Sequence, residues 1–295
     1  MRGRTPVALA FVLTITALVA FAANSILCRL ALGGGTIDAY SFTAIRLGSG
    51  ALALMLLNIS KQPGRSPTKS GWLGAFLLVV YALPFSLSYV RLDTGTGALL
   101  LFGAVQLTMI GHGLRHRERP RLLEWLGLLG AVGGVAYLVS PGLTAPDPIG
   151  AALMLTAGAG WGGYSIVGKR AGEAASETAG NFQRAALLVV PATALAWPWL
   201  ALSPKGALLA TASGALASGF GYTVWYAALK HLPLTRAALV QLAVPLIAAT
   251  GGVAFAGETI TLRLTLASAV ILGSIALGIV GPRQRRATTA TDPQS

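Results

Sequence analysis

A chain of 295 residues with 54% hydrophobic and only 11% charged side chains, and a mean hydropathy of +0.69, carries more apolar surface than a water-soluble domain of its length can cover. Lipid must cover the rest. The net charge of +13 sits in short scattered groups of lysine and arginine rather than on a continuous basic face, which excludes nucleic acid as the expected partner.

A helix rising about 1.5 Å per residue needs roughly 20 mostly apolar residues to cross a bilayer core of about 30 Å. On that measure the first half of the chain divides into spans at 7–28, 41–59, 72–92, 95–114 and 123–140. The second half divides at 149–168, 182–202, 206–229, 236–256 and 262–281. Short connections are punctuated by Gly33 to Gly35, by Pro63 and Pro67, by Pro146 and Pro148, and by Pro204. Arg2 and Arg4 before an apolar run ending at Ala20, Phe21 and Ala22 resemble a cleavable leader. The run reads better as the first span, because removing it would delete the partner of the sixth.

That partnership is visible as a repeat. The segment FAANSILCRLA at 21–31 returns 140 positions later as WGGYSIVGKRA at 161–171. Ten spans in two copies place five in each, and an odd number forces the second copy to enter the membrane from the opposite side. The expected architecture is an all-α integral membrane protein of two inverted five-helix repeats around a central cavity, the usual plan of a secondary transporter. The halves are expected at 1–145 and 146–282, followed by a basic, disordered tail at 283–295.

Positive charge should concentrate on the cytoplasmic side. With both termini inside, the inner segments hold Arg2, Arg4, Lys61, Arg65, Lys69, Arg115, Arg117, Arg119, Arg121, Lys169, Arg170, Arg184, Lys230, Arg236, Arg283, Arg285 and Arg286. The outer side is left with Arg29, Arg46, Arg91, Lys205 and Arg263.

Tryptophans sort into two groups. Trp72, Trp125, Trp197 and Trp199 fall at span ends, where an interfacial belt accounts for them, whereas Trp161 and Trp225 fall inside. Tyr222, Trp225 and Tyr226 share one face of the eighth span, as Tyr81, Phe85, Ser88 and Tyr89 do on the third, its counterpart. Trp161, Tyr164 and Ser165 share a face of the sixth span, where the offset pairs Tyr164 with Asn24 and Ser165 with Ser25. Phe102 with Gln106, and Gln241 with Pro245, lie one turn apart on the fourth and ninth. These residues are the expected lining of a wet cavity, with ordinary helix packing and interhelical hydrogen bonding as the alternative. Pro84 and Pro245 are expected helix breaks. Glycines in GLLGAVGG, GAGWGG and GGVAFAG read as close-packing and hinge positions.

Catalysis has little to work with. Acidic residues number nine, and Asp38, Asp93, Glu118, Glu124, Asp147, Glu173, Glu177 and Asp292 fall in loops or at span ends, with Glu258 near the end of the ninth span. His112 and His116 have a usable spacing, but the neighbouring arginines repel a cation, so no metal or other cofactor is expected. Cys28, the lone cysteine, forms no internal disulfide. Nothing from Thr5 to Ile37 is acidic, which argues against proton coupling through a buried carboxylate in the first span.

TGTGALLLFGAVQLTMI from Thr94 to Ile110 and LPLTRAALVQLAVPLIAATGGVAFAGE from Leu232 to Glu258 resemble the EamA-type drug/metabolite transporter superfamily over nearly the whole chain. The second segment is the more specific, through Leu232, Pro233, Arg236, Ala237, Ala238, Pro245, Gly257 and Glu258. The first half departs from it in having Val105 at the place of Pro245. Chain length and the aromatic third, sixth and eighth spans are most similar to the YddG-type bacterial amino acid exporters. The resemblance implies a basket of helices in a bacterial inner membrane, with the fifth and tenth to the side, that exports small metabolites. The function expected is export of amino acids and related metabolites by alternating access, broad in specificity and facilitative, with a monomer sufficient. Substrate and membrane lipid are the expected partners. The alternatives are a carrier of hydrophobic drugs, purines or sugar derivatives on the same fold, a lipid scramblase or flippase, or a scaffold that transports nothing.

Overall fold

A computed structural model describes residues 4–58, 70–115, 122–169, 174–229, 231–232 and 240–280. Among them the first half forms α1 (Arg4–Leu32), α2 (Ala39–Asn58), α3 (Ser70–Tyr89), α4 (Thr94–Arg115) and α5 (Leu122–Val139). The second half forms α6 (Pro148–Lys169), α7 (Ala174–Leu195), α8 (Pro204–Ala212, continued through a π-helical stretch Ser213–Phe220 into Gly221–Leu229), α9 (Ala243–Ala256) and α10 (Leu262–Val280). His116, Pro233, Arg236, Ala237, Ala238 and the basic tail lie outside the described residues.

Composition sends the apolar side chains outward. Phe11, Val12, Leu52, Leu56, Phe76, Leu129, Leu187 and Leu208 are exposed, while Asn24, Ser25, Thr43, Ser86, Ser88, Ser213 and Ser218 are buried. Among the described residues five helices are long and apolar enough to cross a membrane, and Trp125–Val139, Ala243–Ala256 and Leu262–Gly278 are shorter apolar helices. The chain is a multi-pass integral membrane protein. Trp72, Trp125, Trp197 and Trp199 are exposed and Trp225 is buried.

Helix ends explain where the acidic residues went. The Asp38 carboxylate accepts from the N–H groups of Tyr40 and Ser41 at 2.9 Å and so caps α2. Asp147 caps α6 through the N–H of Gly150 at 2.7 Å, and Ser203 caps α8 through that of Gly206 at 3.1 Å. The loop after α1 pairs with the loop before α8, where the Asp38 N–H donates to the Ala201 carbonyl at 2.9 Å. The expected seventh span at 182–202 is corrected to Ala174–Leu195. Pro198 disfavours helical geometry at Trp197, and the chain tightens into a 3-10 turn at Trp197–Trp199.

The halves interpenetrate. α6 packs between α3 and α4 of the first half, and α1 packs against α8 and α9 of the second, while α5 and α10 pair with each other beside α4. Glycine makes the α6 insertion possible. A Cβ at Gly158 would stand 2.7 Å from the Leu101 carbonyl oxygen of α4, and one at Gly162 would stand 2.8 Å from Cβ of Thr108. On the other face, a Cβ at Gly160 would stand 2.8 Å from the backbone nitrogen of Tyr81 on α3. α5 approaches α10 the same way, since a Cβ at Gly127 would stand 2.6 Å from the Ser274 carbonyl oxygen.

Gly160→Val is therefore expected to destabilise the purified protein by about 1–3 kcal/mol through overpacking and so to lower its apparent melting temperature. Gly48→Ala, where no neighbour lies within 4 Å, is expected to be neutral. Equal effects of the two substitutions in a thermal-unfolding assay would show that α6 does not depend on this close approach.

Candidate functional site

Trp161 is positioned by the glycines on either side of it, which press α6 against both neighbours. Its indole lies 5.1 Å from the Tyr81 ring on α3 and is stacked 5.2 Å from Tyr222 on α8, so one side chain joins the aromatic faces of both halves. The series continues from Tyr81 to Phe85 at 5.2 Å and from Phe85 to Tyr89 at 4.8 Å, edge-on. It continues the other way from Tyr222 to Phe21 at 5.8 Å and from Phe21 to Trp225 at 5.8 Å.

A small cavity opens against these rings. Of the residues expected from sequence, Asn24, Tyr81, Phe85, Phe102, Trp161, Tyr222 and Gln241 line it. Phe21, Ser25, Leu101, Ala217 and Ser218 line it as well and were not anticipated. Ser25 carried a signal in its pairing with Ser165; Phe21 stood inside the repeated segment itself.

Other expected residues stand elsewhere. Ser88 donates to the Gly150 carbonyl at 2.7 Å and holds α3 to α6. The Tyr89 hydroxyl donates to the Thr94 carbonyl at 3.3 Å. Tyr164 is buried behind Trp161, stacked at 5.4 Å, with its hydroxyl 3.4 Å from that of Thr178. Trp225 packs with Ala17, Val224 and Ala228, and Gln106 is half-buried outside the lining. The Tyr226 side chain lies outside the described residues. Pro84 does not break α3, which runs unbroken from Ser70 to Tyr89. Pro245 stands in the first turn of α9, just after a turn at Leu242.

A polar chain crosses the lining. Ser213, in the π-helical stretch of α8, donates to Asn24 Oδ1 at 2.7 Å, and Asn24 Nδ2 donates to the Tyr81 hydroxyl at 3.1 Å. A π-helical turn is a rare irregularity frequently found at functional sites. Here it presents Ser213 and Ser218 from α8 toward α1.

The Tyr81 hydroxyl accepts a second bond, from Arg46 Nη2 at 2.7 Å. The placement of Arg46 is corrected by that contact. Arg46 was counted with the charges of the outer side, yet it lies two turns inside α2 and is only 1% exposed. A guanidinium therefore stands directly behind the lining.

One end of the bundle is fastened by charge. Arg29 at the end of α1 donates to Asp93 at 3.1 Å, to Glu258 at 3.2 Å and to the Tyr89 carbonyl at 3.1 Å. The Glu258 carboxylate also accepts from the N–H and the hydroxyl of Thr94, each at 2.9 Å. α1, α3, α4 and the end of α9 therefore meet on one ion cluster, with Tyr89 and Phe85 filling the space between it and the cavity. Arg91 pairs with Asp147 at 3.5 Å, and Arg263 donates to the carbonyls of Leu138 and Ser140 at the same end.

The sequence profile of the EamA-like transporter family matches residues 148–280, from α6 to the end of α10. The threonine/homoserine exporter RhtA of Escherichia coli is 30% identical over 261 residues, which is 81% of this chain and 81% of its own. The chain belongs to the EamA-like transporter family. An uncharacterized protein of Pseudomonas aeruginosa is 48% identical over 276 residues, covering 93% of this chain and 96% of its own. A crystal structure superposes with a TM-score of 0.63 over 89% of this chain and 94% of its own, and at 19% identity it bears on the fold alone.

For this EamA-like transporter, Glu258→Ala is expected to loosen the clustered end. A cysteine at Ser25 in a Cys28→Ser background should then react several-fold faster with a membrane-impermeant maleimide applied from that side. An unchanged labelling rate would show that Phe85 and Tyr89 seal the cavity without the ion cluster.

Proposed function

We propose that this protein exports amino acids and related small zwitterionic metabolites across the bacterial inner membrane by alternating access, with both termini in the cytoplasm. The observation that carries the reading is a cavity at the meeting of both halves, walled by aromatic faces and crossed by the Ser213–Asn24–Tyr81 chain. Aromatic faces accept an apolar side chain, and the amide and hydroxyl groups address an ammonium and a carboxylate. Such a pocket discriminates weakly between side chains that differ by a methylene, so specificity is broad. The halves at 1–145 and 146–282 act as the two inverted units, and the Arg29–Asp93–Glu258 cluster closes the periplasmic end. The 30% identity to a threonine/homoserine exporter over 81% of both chains supports amino acids as cargo and export as direction. The absence of acidic residues from Thr5 to Ile37 supports a facilitative cycle.

Purified protein in sealed liposomes should move labelled threonine, homoserine and several larger neutral amino acids with or without a proton gradient. Trp161→Ala should reduce that flux by about tenfold or more, because it removes the ring that stacks between the two halves. Flux of purines or aromatic drugs with no amino acid flux would move the assignment to a drug carrier, and transbilayer lipid movement alone would move it to a flippase.

A further inference from the structure

Among the fully buried side chains of the described residues, Arg46 is the one that carries a charge. Its Nη2 reaches the Tyr81 hydroxyl, and its guanidinium lies over the rings of Tyr81 and Phe85, at 5.1 and 4.9 Å from their centroids. Nε and Nη1 have no hydrogen-bond partner. No carboxylate among the described residues pairs with it. Asp93 and Glu258 are engaged by Arg29, Asp147 by Arg91, and Asp38 by the start of α2. The arginine at the helix end has the carboxylates, and the arginine inside the bundle has none.

A buried cation without a counter-charge is among the most destabilising arrangements a fold can hold, and arginine cannot relieve it by giving up its proton. Ring faces and one phenol offset only part of that cost. An apolar residue of similar volume would pack there at less cost, so stability gives no reason for the charge to be present. Position gives one, because the two rings beneath the guanidinium, Tyr81 and Phe85, are themselves walls of the cavity. Ser218, on the π-helical stretch, lines the same cavity with a buried hydroxyl that also has no partner.

We propose that Arg46 is the anion receptor of the central cavity, and that the cargo is defined by a carboxylate which takes the unused donors on Nε and Nη1. This rests on the reading of the cavity as the substrate site and narrows it, since the cargo's ammonium and side chain are then left to Asn24, Ser218 and the aromatic faces. In the unloaded protein the Tyr81 hydroxyl and the ring faces occupy the guanidinium. To reach Nε and Nη1 the arriving carboxylate must move the Tyr81 and Phe85 rings off the guanidinium, which couples loading to the α3 side of the lining. α7, the repeat partner of α2, offers no equivalent receptor. Its Arg184 is half-buried with the guanidinium 5.9 Å from the Trp72 ring.

The test uses the full-length protein in detergent, with tryptophan fluorescence and thermal unfolding as readouts. Threonine and homoserine are titrated against the corresponding amino alcohols, which keep the ammonium and side chain and lack the carboxylate. Wild type should prefer the carboxylate members by roughly 10- to 100-fold, the range for a charge-assisted hydrogen bond. Arg46→Met should abolish the preference while leaving the ligand-free melting temperature unchanged or raised. Should that variant fail to fold, Arg46→Gln, which keeps a donor toward Tyr81, is read in the same way. A folded variant that keeps the preference overturns the proposal, as does a wild type that binds both series equally or neither. Liposome flux separates this result from the broader reading. Amino acid flux undiminished in Arg46→Met would remove the receptor and leave the exporter standing. Arg46-dependent carboxylate binding without amino acid flux would do the reverse.

Discussion

In hydrocarbon, helices gain nothing by hiding apolar surface from water, so a bundle is held by close van der Waals contact and by hydrogen bonds between helices. In this protein that constraint is met where α6 enters the first half. Gly158 and Gly162 face α4, Gly160 and Gly163 face α3, and the backbones come close enough that a methyl group at Gly160 would collide with the main chain of Tyr81. The same approach carries Trp161 to the centre of the molecule, between Tyr81 and Tyr222. With α1 set against α8 and α9 in return, each half supplies one helix to the other. The cavity lies where these two exchanged helices pass.

Around that centre the polar groups are distributed unevenly. One end of the bundle is tied by Arg29, Asp93, Glu258 and Thr94, with Tyr89 and Phe85 packed beneath them. Lower down, the ties are neutral and few, running from Ser213 through Asn24 to Tyr81. The paired helices α1 and α6 place Asn24 and Tyr164 at equivalent points, yet only Asn24 reaches the lining. A symmetric scaffold thus carries an asymmetric cavity, with the buried Arg46 behind one of its walls. A charge that costs stability, held against the wall of a cavity, is the kind of local inconsistency that marks function rather than folding.

Much of this was legible before any coordinates. The aromatic faces of the third, sixth and eighth spans were visible as i, i+3, i+4 spacings, and Tyr81, Phe85, Trp161 and Tyr222 do share one lining. Spacing says which residues share a helix face but not how deep on that face the neighbouring helix arrives. Ser88, Tyr89 and Trp225 accordingly fall on the right faces and the wrong levels, taken up by Gly150, by Thr94 and by the packing of α1 against α8. Ser218 carried no such pattern. Its place in the lining comes from the π-helical stretch of α8, which shifts the register of every side chain that follows.

The sequence by itself determined that this chain lives in a bilayer and that it is built twice, because hydropathy, span length and the 140-residue repeat are properties of the chain read in one dimension. The capping acids, the glycine-rich contacts and the interfacial tryptophans follow from the same local rules. Only the tertiary structure decided what Arg46 is. Read along the chain it stands a few residues inside the second span and counts as one more charge near a loop. In three dimensions its fate depends on whether the neighbouring helices bring it a carboxylate, and α3 brings the rings of Tyr81 and Phe85, with the Tyr81 hydroxyl, instead. Counter-charge is a relation between helices distant in sequence, and no local pattern records it.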